Sequence, residues 1–290
     1  MTETLSWSQI LILAIVQGIA ELLPVSSSAH VIVAEKLMGL DPTTPQMTML
    51  LVMLHTGTMF AVILYFWAAW KQQFFASKAQ FVHAAKVIVV ATAVTGVIGF
   101  ALLLLIEKVL MQGSGKTEIE QLFGNHYLIA SGLAAVGVLI ILSGYRSMTR
   151  PGNDEVQLRS AIWIGAIQGL CLPVRGFSRS GATVSIGLLA GVARDRAEAF
   201  SFALAVVLTP AVIVKEGWRF YKVSVASGHT MQDWLPLLAP SVIGMGFSFV
   251  AGLVALKWLS RWLEAGRWQY FGFYCLLVSA LLFAFGGRFD

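Results

Sequence analysis

"ELLPVSSSAH" (residues 21–30) sets a carboxylate, a proline, three consecutive serines and an imidazole inside an apolar run. Polar groups are costly there, because the surrounding chain is built for lipid. Of its 290 residues, 57% are hydrophobic and 12% charged, against about 25% charged in a soluble domain. The mean hydropathy is +0.77. Several apolar stretches approach or exceed the roughly 20 residues that cross a bilayer core. The chain therefore reads as an all-α integral membrane protein whose main partner is the bilayer.

Six stretches read as full spans: 47–70, 87–106, 127–143, 199–215, 234–256 and 270–286. Regions 8–40 and 160–193 do not. Each holds two short apolar pieces broken by Pro, Gly and polar residues, the pattern of a re-entrant hairpin of half-helices. The two regions also resemble one another at an offset of 151 to 152: Gln17-Gly18 meets Gln168-Gly169, Ser26 meets Ser178, and Gly39 meets Gly191. Downstream, "AVILYFW" from Ala61 echoes "AVIVKEGW" from Ala211. The chain divides into two copies, 1–143 and 144–290. Three spans lie between the hairpins, and an odd number turns the second copy over into an inverted-topology repeat.

Loops 71–86, 144–159 and 257–269 are rich in Lys and Arg. Placing them in the cytoplasm with Arg194 and Arg196 puts eleven basic residues inside and seven outside. Both termini then face outward, and the hairpins enter from opposite sides with their tips meeting near mid-membrane. The N-terminal "MTETLSWSQ" carries no Lys or Arg, so it lacks the basic start of a cleaved signal peptide. No basic patch interleaved with aromatics points to nucleic acid.

The chemistry gathers at the broken helices. Gln17 and Glu21, four apart, share one helix face. Pro24 ends that half-helix, and Ser26, Ser27 and Ser28 fall where the next begins, at positions where hydroxyls cap free N–H groups. Ser26 or Ser27 can share a face with His30. The second copy supplies "VRGFSRSGAT", with Arg175 and Arg179, then Ser178, Ser180 and Gly181 at a fresh helix start. Helix N-termini and guanidinium together describe a receptor for a phosphate or diphosphate. His55, in "LHTGT", reads equally as a support to the site or as a helix-packing group. Cys171 and Cys275 read as buried structural thiols, and the nine tryptophans as interface anchors.

With these residues named, the whole chain resembles the undecaprenyl-diphosphate phosphatase family, bacterial enzymes associated with bacitracin resistance. "QGIAELLPVSSSAH" is similar to the first family motif and "RGFSRSG" to the second, while "LHTGT" and "AFSFALAV" also match. The resemblance implies six spans plus two re-entrant hairpins in the bacterial cytoplasmic membrane, with a site opening to the periplasm. It implies removal of the terminal phosphate from a C55 polyprenyl diphosphate with the help of Mg²⁺ or Ca²⁺. By position, Glu21 supported by Gln17 would bind the metal, Ser27 would be the nucleophile and His30 its proton-transfer partner. Arg179, aided by Ser178 and Ser180, would hold the diphosphate. Three positions depart from the family pattern: Gln17 where Glu is frequent, Arg175 for the usual Pro, and Ala29 for a common Gly. The plan also leaves room for a homodimer.

A different class shares this plan. Secondary transporters also join broken helices at mid-membrane, and on that reading the serines and arginines carry an anion or a lipid phosphate without chemistry. Glu21 and His30 beside a candidate nucleophile favour the enzyme.

Overall fold

The computed structural model describes residues 5–40, 44–106, 108, 125–149, 152–153, 155–174, 176–226 and 231–285. Among them are ten helices: α1 Trp7–Leu22, α2 Ser27–Leu37, α3 Pro45–Phe74, α4 Lys78–Leu105, α5 His126–Thr149, α6 Leu158–Cys171, α7 Arg179–Leu189, α8 Arg194–Ala226, α9 Met231–Glu264 and α10 Gln269–Phe285. The one β feature there is an isolated bridge, Asn153 to Val192, which ties the α5–α6 link to the α7–α8 turn.

Local chemistry sets the boundaries. Ser6 and Gln9 form a reciprocal capping box ahead of α1, with Ser6 N–H on Gln9 Oε1 at 2.9 Å and Gln9 N–H on Ser6 Oγ at 3.3 Å. Leu23, just before Pro24, is already extended and closes α1. Thr44 caps α3 with Pro45 in its first turn, and Ser77 caps α4.

Length separates the helices by task. α2 and α7 have 11 residues each, about 17 Å at 1.5 Å per residue, roughly half the hydrocarbon core. Five helices, α3, α4, α5, α8 and α9, are long and apolar enough to cross a membrane. The sixth expected span, 270–286, is the apolar α10, which has 17 residues and is shorter than those five.

Packing has a matched pattern. α1 lies on α9, and α6 lies on α4; α3 also packs on α8 and α9, and α5 on α7 and α10. The first two contacts are made at equivalent glycines. A Cβ on Gly18 would stand 2.6 Å from Ala251 Cβ and 2.8 Å from Ser248 O. One on Gly169 would stand 2.8 Å from Ile98 Cβ and 2.9 Å from Thr95 O. With lipid as apolar as the side chains, close backbone approach and buried polar links hold such helices together. Thr95 Oγ1 donates at 2.9 Å to Gly165 O, Ser248 Oγ at 3.0 Å to Leu54 O, and Trp70 Nε1 at 3.0 Å to Ala199 O.

Gly18→Leu and Gly169→Leu are each expected to lower stability by about 1–3 kcal/mol through overpacking. Gly96→Leu, where an added Cβ meets nothing within 4 Å, should leave stability near wild type. Thermal unfolding in detergent checks this, and a Tm unchanged in the first two would disprove the tight crossings.

Candidate active site

The two hairpin turns meet, and Glu21 is the point at which they join. It sits in the last turn of α1, one turn beyond Gln17, whose Nε2 donates to Glu21 Oε2 at 3.2 Å. Ser27 Oγ, at the first position of α2, donates to the same Oε2 at 2.6 Å. From the other hairpin, Arg179 Nη2 reaches Glu21 Oε1 at 3.0 Å. His55 of α3 brings Nε2 to 3.6 Å from Oε2, while its Nδ1 bonds the Leu51 carbonyl at 2.8 Å.

Arg179 is only partly used by this pair. Its Nη1 is buried and has no hydrogen-bond partner among the described residues. A buried guanidinium N–H left unpaired is costly unless an acceptor arrives. Beside it lies a cavity of about 210 Å³ bounded by Glu21, Ser26, Ser27, Ser178, Arg179 and Ser180, with Cys171, Leu172 and Phe177 as apolar wall. The start of α2 adds N–H groups that no carbonyl of their own helix can satisfy. One cation with a spare donor, several hydroxyls and a helix N-terminus around a small cavity suit a phosphoryl group.

The turns differ although their sequences match. Ser178 caps α7, its Oγ accepting from Gly181 N–H at 3.2 Å. Ser26 occupies the same place before α2, but its side chain does not cap that helix and its backbone is left-handed, with φ 67° and ψ 94°. Such a conformation in a non-glycine residue costs about 1–3 kcal/mol and persists only where neighbours enforce it. In the second turn the left-handed residue is Gly176, with φ 88°, which carries no such cost. Ser180 Oγ donates to Leu23 O at 3.3 Å and stitches one turn to the other.

The structure thus gathers Gln17, Glu21, Ser26, Ser27, Ser178, Arg179 and Ser180. Gly181 lies in the first turn of α7, where an added Cβ would meet Ile140 Cδ1 at 3.0 Å, and Ser28 lies in the first turn of α2. Arg175 lies outside the described residues. His30 takes a different position from the one its spacing suggested. Its Nδ1 bonds the Ser26 carbonyl, not a hydroxyl, at 2.8 Å, and its Nε2 lies 2.7 Å from the Tyr274 hydroxyl of α10. The ring borders a separate apolar groove of about 590 Å³ between α2 and α10. Of the two sequence readings of His55, support to the site or helix packing, its contact with Glu21 favours the first, while Tyr274, which reaches His30, carried no signal beyond being a tyrosine in a hydrophobic segment. Both cysteines are buried and free, Cys275 Sγ donating to Pro24 O at 3.3 Å.

A family model described as bacitracin resistance protein BacA matches residues 10–281, which takes in both turns. A protein of Acinetobacter baylyi named Undecaprenyl-diphosphatase 2 is 56% identical over 283 residues, covering 97% of this chain and 99% of its own. Proteins named Undecaprenyl-diphosphatase from Rhodopirellula baltica and Halothermothrix orenii are 30% and 31% identical, each over 281 residues. They cover 94% and 97% of this chain, and 96% and 98% of their own lengths.

Glu21→Ala and Arg179→Ala should each destabilise the protein by up to about 3 kcal/mol, since each strands a partly buried charge. The double variant should lose clearly less than the sum, as expected for two groups in contact. Additive losses in thermal unfolding would show that the pair does not couple the hairpins.

Proposed function

The chain belongs to the bacitracin resistance protein BacA family, and from that premise we infer that it is a hydrolase of undecaprenyl diphosphate. The products are undecaprenyl phosphate and inorganic phosphate, which returns the lipid carrier to peptidoglycan synthesis and underlies resistance to bacitracin. The observation that carries the reading is the spare, buried Nη1 of Arg179 beside a Ser27 hydroxyl already hydrogen-bonded to Glu21.

In this mechanism the terminal phosphoryl group enters the cavity and takes hydrogen bonds from Arg179 Nη1 and the first N–H groups of α2. Ser27 Oγ attacks the terminal phosphorus, and Glu21, 2.6 Å away, takes its proton. The bond from that phosphorus to the bridging oxygen breaks, and undecaprenyl phosphate leaves with the electron pair. Water then attacks the phosphorus of the phosphoserine, the bond from phosphorus to Ser27 Oγ breaks, Glu21 returns its proton to Oγ, and the proton of the water leaves with the inorganic phosphate. Positioning and neutralisation of charge are the main levers for such a transfer. Glu21 acts as base in this scheme because His30 is committed to the Ser26 carbonyl and Tyr274 and does not line the cavity.

Residues for Mg²⁺ or Ca²⁺ are also at hand. Among the described residues no three His, Cys, Asp or Glu converge as a cation cage. The Glu21 carboxylate and the Gln17 amide carbonyl are nonetheless hard oxygen donors, a set suited to a cation shared with substrate phosphates. Such a cation would offset charge on the diphosphate. Gln17 in place of a second carboxylate leaves the protein with one anionic ligand instead of two.

The finer architecture belongs to the same reading. Residues 1–143 and 144–290 are two inverted copies, six spans plus two re-entrant hairpins, set in the cytoplasmic membrane with the cavity opening to the periplasmic side. The short α2 and α7, the matched α1–α9 and α6–α4 crossings, and the basic loops support it.

Purified protein in detergent should release phosphate from a polyprenyl diphosphate when supplied with Mg²⁺ or Ca²⁺ and stop with EDTA. Ser27→Ala, Glu21→Gln and Arg179→Ala should each lose about a hundredfold or more in turnover. A folded wild type that releases no phosphate with either metal would overturn the hydrolase reading and favour carriage of the lipid phosphate, to be assayed in liposomes.

A further inference from the structure

The left-handed Ser26 is held by its surroundings, and helix α10 supplies two of the contacts on this turn. Two successive residues of α10 grip the turn: Cys275 Sγ–H donates to Pro24 O at 3.3 Å, and Tyr274 meets His30. His30 in turn bonds Ser26 itself. A backbone carbonyl only accepts, so the 2.8 Å contact of Nδ1 with Ser26 O requires a proton on Nδ1. In the neutral ring Nε2 is then an acceptor, and the Tyr274 hydroxyl, 2.7 Å away, is its donor. The two rings lie nearly parallel, 14° apart. The matching turn of the second hairpin places glycine at its left-handed residue, and no such chain of bonds is needed there.

We propose that Tyr274 is a positioning residue: its hydroxyl fixes His30 in the Nδ1–H tautomer, and His30 thereby latches the left-handed Ser26 backbone that aims the Ser27 hydroxyl at Glu21. Through this latch α10 controls the nucleophile without touching the reacting atoms. The assignment rests on the phosphatase reading of the site for its kinetic consequence, but the tautomer and the latch themselves do not.

Tyr274→Phe keeps the ring and removes only the donor. Misaiming a nucleophile affects turnover more than substrate binding, so kcat should fall about tenfold with KM within about twofold. Glycine at position 26 adopts the left-handed conformation without strain, so the latch becomes redundant there. In a Ser26→Gly background the loss caused by Tyr274→Phe should shrink to about threefold or less. Tyr270→Phe, one turn away on α10, should match wild type.

A loss of equal size in both backgrounds, a loss confined to KM, or no loss would each overturn the latch. ¹⁵N-histidine spectra of the full-length protein, with the His30 signals assigned through His30→Gln, read the tautomer without any activity. Nδ1–H in wild type and a shifted Nε2 resonance in Tyr274→Phe are expected. An Nε2–H tautomer in wild type, or an Nε2 signal unmoved by the variant, overturns the proposal, and the wild-type spectrum alone decides if Tyr274→Phe does not fold. Wild type that releases no phosphate but shows the expected tautomer and shift would refute the phosphatase reading while leaving the latch in place.

Discussion

The contact between Glu21 and Arg179 is the constraint on which the rest of the architecture depends. Neither charge is tolerable alone in an apolar interior, and each is supplied by a different one of the two turns. Joining them brings together two helix starts, α2 and α7, whose free N–H groups would otherwise have no company but lipid. The same carboxylate accepts the Ser27 hydroxyl at 2.6 Å. One residue therefore joins the two turns and holds the Ser27 hydroxyl, so the link between the turns and the order of the cavity wall are not separable at this position.

Two turns of similar sequence carry different polar groups. Among the described residues, two short helices followed by three longer ones occur twice, and Gly18 and Gly169 make equivalent close crossings. Side chains at matching positions nevertheless differ in kind. The first turn presents a carboxylate and a hydroxyl, and the second presents a cation, with Ser27 standing opposite Arg179 in the sequence match. A symmetric turn with serine in both places would bind an anion poorly, and one with arginine in both would repel itself. Dividing the groups sets a cation and a hydroxyl on the same small cavity.

The backbone follows the same division. The second turn confines its left-handed backbone to Gly176, at no steric cost, whereas the first has it at Ser26, the counterpart of Ser178, against its preference. Strain of this kind marks places where the surroundings over-determine the chain. Among them here are the rigid Pro24, the α10 thiol on its carbonyl, Ser180 on the Leu23 carbonyl, and the imidazole on Ser26 itself. The turn that carries Glu21 and Ser27 is the one built under tension, and the turn that carries Arg179 is the relaxed one.

Much of this was legible in the residues. Apolar runs interrupted by Pro and serines announced broken helices, because a half-helix must end where proline removes a donor and begin where hydroxyls replace one. The four-residue spacing of Gln17 and Glu21 and the cluster around Arg179 located the polar site, since charge inside a membrane protein is too costly to be incidental. Local rules of that kind carry no information about partners distant in the chain. They placed His30 beside a serine hydroxyl, whereas the tertiary structure turns its ring to the Ser26 carbonyl and to Tyr274, 244 residues later. They likewise left His55 undecided until α3 packed its imidazole against Glu21. Sequence by itself determined which residues are polar where lipid demands apolarity, and hence the fold class and the chemistry. Only tertiary packing decided which of those polar groups share hydrogen bonds, because that choice depends on distances between helices that no periodicity records.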